Sequence, residues 1–219
     1  MAYNKEKLNQ TLSEMKETFL ADPNTAVRGQ NFIKQLHEYC IAELIERGFT
    51  GELTPKGEIK VLTSHKFKDI DVAVVHPTSG PLLIIGVRSQ MSSLGKNFLN
   101  YYEMEVGDVS AIHERYPLCV VGLLYLHPTE SILPGSKKEK FDFDRAEKMF
   151  ALISDREKSS DPQAHYEEIA YLRVNFHRDP PTLDHKFPTL ENLRLDNFFD
   201  KLLQKYIERN FPLLKNNKS

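Results

Sequence analysis

Sulfur chemistry is scarce in this chain. Only two cysteines occur in 219 residues. Cys40 falls in a helical pattern and Cys119 in an apolar run, so both read as buried reduced thiols, because a free cysteine behaves as a small hydrophobe. Long apolar runs are missing too. The longest, PLCVVGLLYL, is far short of the roughly 20 residues that span a bilayer, and the opening MAYNKEKLNQ is polar and charged rather than a signal peptide. A soluble, cytoplasmic protein is expected. Neither sign of charge dominates: 29 Lys and Arg against 31 Asp and Glu leave a formal net charge of -2. That excludes a strongly basic nucleic-acid binder of the histone kind and leaves room for positive charge focused into one cleft. There is no internal repeat, no low-complexity segment, no HExxH, no Walker loop and no dinucleotide fingerprint.

What is present is a regular alternation of elements. Residues 5–20 carry Leu8, Leu12, Met15, Phe19 and Leu20 at helical spacing, and DPNT ends the pattern. A second helix is expected over about 27–47, stopped by Gly48. The segment 58–90 is strand-like, with apolar stretches at 59–62, 70–75 and 82–87; HPTSGP between the last two reads as a hairpin turn. A helix over about 93–115 follows, then a fully buried strand in LCVVGLLYLH. A helix over 143–156, an alternating strand over 166–176 and an amphipathic closing helix over 191–211 complete the chain, with an irregular stretch at HRDPPTLDHKFP. A hairpin joined by a helical crossover to another strand makes an α/β domain with a mixed central β-sheet flanked by helices. One domain over 1–219 is expected. It divides into an N-terminal helical extension (1–26), a central motif region (27–127) and C-terminal helices and strand (128–219).

Asp71 opens the strand DVAVV, and Asp69 lies two residues earlier on the same face. The next strand ends in Gly86, Val87 and Arg88, with Gly86 and Arg88 on one face, and the hairpin brings that end towards Asp71. Beyond it, Lys96, Asn100, Glu103 and Gly107 follow steps of four, three and four along one helix face. Glu105 lies on a different face of that helix and competes with Glu103, as Asp69 competes with Asp71. The histidines promise less. His37 and Cys40, three apart on a helix, are suited to sharing a metal but have no second pair nearby, and His113 reads as a surface or packing residue.

An Asp-led strand, a hairpin, a second strand ending in a short polar motif and a following helix resemble the PD-(D/E)xK nucleases of the restriction-endonuclease-like fold. The stretch QMSSLGKNFLNYYEMEVGDVSAIH is similar to that of restriction-endonuclease-like proteins from bacteria, and the likeness covers roughly residues 27–127. It implies a restriction-endonuclease-like core and a magnesium- or manganese-dependent endonuclease that hydrolyses phosphodiester bonds in DNA, with a homodimer as the expected assembly. Where the family pattern has an acid and a lysine, this chain has Gly86 and Arg88. Glycine offers a metal no side-chain ligand, and arginine stays protonated and cannot act as a base. The resemblance therefore implies a relocated acid, Glu103. Asp71 and Glu103 become the metal ligands, and Lys96 or Gln90 takes the lysine's place. Glu38 becomes an outer ligand, and Arg88, Lys137 and Lys138 hold phosphates. The alternative is a protein of this fold that has lost the chemistry and serves as a DNA-binding or protein-interaction module.

Overall fold

The computed structural model describes residues 2–23, 25–26, 31–132 and 141–215, the last five by backbone alone. Helix α1 (Lys5–Ala21) starts where the Asn4 side chain accepts a hydrogen bond from the Lys7 amide, an N-cap that satisfies one of the free donors of the first turn. It buries Leu8, Leu12, Met15 and Phe19. Helix α2 (Lys34–Glu46) ends before Gly48, whose φ of 95° suits a residue without a Cβ. Strands β1 (Lys56–Leu62), β2 (Phe67–His76) and β3 (Gly80–Ser89) form an antiparallel meander. Helix α3 (Leu94–Arg115) crosses to strand β4 (Val120–Pro128), parallel to β3. Helix α4 (Phe143–Leu152) crosses to strand β5 (Glu168–Asn175), parallel to β4. A two-residue strand β6 (Thr182–Leu183) pairs antiparallel with β5, and helix α5 (Phe198–Lys215) closes the fold.

The result is a mixed six-stranded sheet in the order β1-β2-β3-β4-β5-β6 between two helical layers. One face packs Val72, Ile85, Leu124 and Leu172 against α1, α2 and α5; the other packs Ile84, Leu123 and Ile169 against α3 and α4. Every residue of β4 is buried, as a central parallel strand covered on both faces requires. Helix α5 lies so close to β4 that a Cβ on Gly122 would meet Leu202 at 2.8 Å and Phe198 at 3.0 Å, so glycine is a packing requirement there. Among the described residues no helix is long and apolar enough to cross a membrane. Cys40 and Cys119 are free and buried.

A buried ionic cluster ties the start of β5 to its surroundings. Glu167 accepts from the Val121 amide (2.7 Å), His113 Nε2 (3.1 Å), Arg156 (2.6 Å) and Arg209 (2.6 Å). His113, fully buried, has its other ring nitrogen on the Gln163 carbonyl, so it is a packing residue. Helix α4 stops short of the expected 156 because Asp155 takes a φ of 62° and Arg156 turns inward to this cluster.

Strands β2 and β3 do not stay together. They pair from Val72 with Ile85 to His76 with Gly80. Residues 67–70 of β2 pair with β1, and β3 beyond Ile85 pairs with β4. The chains part between Asp71 and Gly86.

Candidate functional site

At that parting, the Asp71 carboxylate takes the place of the lost strand partner. Its Oδ2 accepts from the Val87 amide at 2.8 Å and from Arg88 Nη1 at 3.0 Å. Arg88 Nε donates to Glu105 Oε1 at 2.8 Å, and the Tyr166 hydroxyl donates to Glu105 Oε2 at 2.9 Å. A guanidinium therefore stands between two carboxylates, largely out of solvent, with Glu105 only 3% exposed. Burial works to lower the pKa of Arg88, but Glu105 and then Asp71 outweigh it and raise it. Burial, followed by the Glu105 charge, pushes the Tyr166 hydroxyl well up.

The helix acid brought to the parting is Glu105, not Glu103. Phe98, Tyr102, Glu105, Val109 and Ile112 follow alternating steps of four and three, the stripe that α3 turns to the sheet. Glu105 is the one carboxylate in that stripe. Glu103 shares the opposite face with Lys96 and Asn100, and all three are exposed. The space beside Gly86 is filled from the helix: a Cβ there would lie 4.0 Å from Glu105 Oε2 and 3.5 Å from Leu123. A helix carboxylate therefore reaches this strand end, two residues from the one expected. Lys68 and Asp108 form an ion pair beside it, and the space between β2, β3 and α3 is closed to about 20 Å³.

The other oxygen of Asp71 faces outward. Oδ1 lies 3.8 Å from His37 Nε2 on α2, on the floor of an open cleft of about 320 Å³ that Lys34, Glu58 and Asp69 also line. Glu58 holds a φ of 51°, unusual for a side-chain-bearing residue, and pairs with Lys34 at 3.2 Å across the cleft mouth. His37 is 6% exposed, and among the described residues neither ring nitrogen has a hydrogen-bond partner. Burial lowers its pKa more than Asp71 raises it, which favours the neutral ring with a free lone pair.

Gln90 has a structural task. It is buried, and its amide nitrogen donates to the carbonyls of Ser93 (2.7 Å) and Leu94 (3.3 Å). Its carbonyl oxygen faces His127 Nε2 at 3.2 Å, and His127 Nδ1 faces the Tyr171 hydroxyl at 2.7 Å. Because Gln90 Nε2 is spent on carbonyls, Oε1 accepts from His127 Nε2–H, and Nδ1 accepts from Tyr171. Burial lowers the pKa of His127 to about 3, so the ring is neutral and the chain of bonds holds. Glu38 is exposed on α2. Lys137 and Lys138 lie outside the described residues.

Sequence reasoning weighed Glu105 only as a competitor and missed the part of His37 beside Asp71. The phase of the α3 stripe was the available signal for Glu105. For His37 there was none, since its meeting with Asp71 depends on how α2 packs on the sheet. Among the described residues, no group of three or more His, Cys, Asp or Glu is gathered to hold a metal ion. A scan of protein-family models, a search of curated proteins and a search of solved structures each found no match.

Proposed function

We propose that the protein is a divalent-cation-dependent hydrolase of phosphodiester bonds, with DNA as substrate, built on a restriction-endonuclease-like core. The observation that carries this reading is the buried, unpartnered His37 set against the outward oxygen of Asp71 at the floor of an open cleft. A buried polar atom without a partner is destabilising unless something completes it. A cation that keeps most of its water needs few protein ligands, so Asp71 Oδ1 and His37 suffice as a donor set. An imidazole beside a carboxylate suits manganese better than magnesium. When bound, the cation supplies a polarised phosphate and a water of lowered pKa. The chain's own groups do the rest. The Val87 amide and Arg88 hold Asp71 in one orientation, and Lys34 at the mouth offers a point charge to a phosphate. Glu103 and Lys96 have no part in this version of the site.

Titration of the protein with manganese and magnesium, read by thermal midpoint and by plasmid nicking, tests the reading. Manganese is expected to raise the midpoint through linkage and to support nicking, and both responses should vanish in His37→Ala and Asp71→Asn. A midpoint indifferent to both ions, together with intact plasmid, overturns it.

A second reading rests on the Arg88 bridge. A guanidinium bound to Asp71 and Glu105 already supplies positive charge where a nuclease of this fold would hold its cation. On that reading the protein has lost the chemistry and binds DNA or a protein partner. Its mark is wild-type stability and partner binding that no divalent ion alters.

A further inference from the structure

We propose a second binding site, for a small carboxylic acid with an apolar body, at the opposite end of β3 from Asp71 and Arg88. Pro81 begins this end and Arg88 the other, seven residues or roughly 23 Å apart along the strand. Here a cleft of about 450 Å³ opens between the β2–β3 turn, the end of α3 and α5, a volume in the range of small-molecule sites. Pro81, Pro117 and Leu118 give it an apolar floor, and Leu118 is 53% exposed.

Its polar lining consists mainly of donors, and among the described residues no carboxylate lines it. Arg209 is fixed in the wall by Glu167 and the Cys119 carbonyl. Arg115 is not spent in this way. Its Nε donates to the Tyr116 hydroxyl at 3.2 Å and its guanidinium lies over the Tyr116 ring. Among the described residues its terminal nitrogens have no partner. The independent observation is Asn210. It is 5% exposed, it lines the cleft, and its amide nitrogen is buried with no acceptor among the described residues. It sits where α5 departs from helical geometry, at φ -120° and ψ 23°.

One guanidinium and one amide donor match a planar, singly charged carboxylate. A dianionic phosphate would call for more cationic groups than the lining offers. The carboxylate takes the Arg115 fork and supplies the acceptor that Asn210 lacks, while the apolar body covers Pro81, Pro117 and Leu118.

Calorimetric titration with 4-phenylbutyrate and with its neutral amide tests the site. The acid is expected to bind saturably and the amide about tenfold more weakly or worse. Arg115→Gln, an exposed position that leaves the fold intact, should weaken the acid by about tenfold. Asn210→Asp, isosteric but repelling an anion, should weaken it at least as much. No saturable heat with the acid up to about 10 mM overturns the site. So does equal binding of acid and amide, or an Arg115→Gln protein that binds like wild type.

Discussion

Arg88 is where a side chain's surroundings decide its meaning. Read alone at a strand end, it is a phosphate ligand; in place, it is the shared partner of Asp71 and Glu105. Removing one member of such a set leaves the others as uncompensated charge, typically at about 3–5 kcal/mol. Arg88→Met, which keeps length and loses charge, is therefore expected to cost about 3 kcal/mol in urea unfolding at pH 7. Glu103→Gln, on the exposed face, should stay within about 0.5 kcal/mol of wild type. Equal effects would place Arg88 among ordinary surface charges. The same contrast explains what was hidden from the sequence. Asp71 and Arg88 are neighbours through a hairpin, a local device that alternation and turn residues betray. Glu105 and His37 reach Asp71 from helices whose rotation on the sheet is set by packing. A two-residue choice between Glu103 and Glu105 is a choice of helix face.

Elements were the most legible level. The strands at 59–62, 70–75 and 82–87, the buried strand in LCVVGLLYLH and the helices at 5–20 and 93–115 all stand close to where periodicity puts them. Strand β6 escaped notice because two residues within a Pro-rich stretch carry no period. The start of the closing helix was set too early, since residues 191–197 form two short 3₁₀ turns before α5 begins. The start of α3 depends on a side chain outside it. Ser93 sits in the left-handed region at φ 53° and offers no side-chain cap, and Gln90 holds the turn by donating to the Ser93 and Leu94 carbonyls. Gln90→Leu breaks the run from Tyr171 through His127 to the first turn of α3 and leaves His127 without its acceptor. A loss of roughly 1–3 kcal/mol is expected, with amide protection falling first at Lys96, whose amide donates to the Ser93 carbonyl. Protection unchanged there would remove Gln90 from that task.

For the molecule as a whole, buried ionisable groups pull stability in two directions with pH. His127 has its pKa lowered by burial from 6.5 to about 3, so its contribution is full above 6.5 and falls as pH drops towards 3. Burial alone would raise Glu167, but His113 and Arg209 bring it down to about 2. Its stabilisation is present above 4.5 and is lost as pH falls through 2. Glu168 runs the other way. Burial raises it from 4.5 to about 7 against the pull of Lys201, so its stabilisation is full below 4.5 and is lost as pH rises through 7. Glu168→Gln should remove that last decline. The stability at pH 8 minus that at pH 5 is expected to rise in the variant, by an amount on the order of 2–3 kcal/mol. A pH profile parallel to wild type would show that Glu168 is ionised throughout.

The parting of β2 and β3 also writes itself into hydrogen exchange. Alternate residues of a strand donate to opposite neighbours. Along Phe67–Asp71, the amides that point away from β1 look into a gap rather than at a strand. They should exchange far faster than those of Val72–Val74, a few residues along the same strand. Val87 is the exception at the rim, because its amide proton is held by the Asp71 carboxylate. In Asp71→Ala that proton should lose its protection while Ile84 and Ile85 keep theirs. The Val87 amide thus reports on one carboxylate. Any ligand that draws Asp71 outward should be seen as faster exchange of a backbone hydrogen on the next strand, before any product is formed.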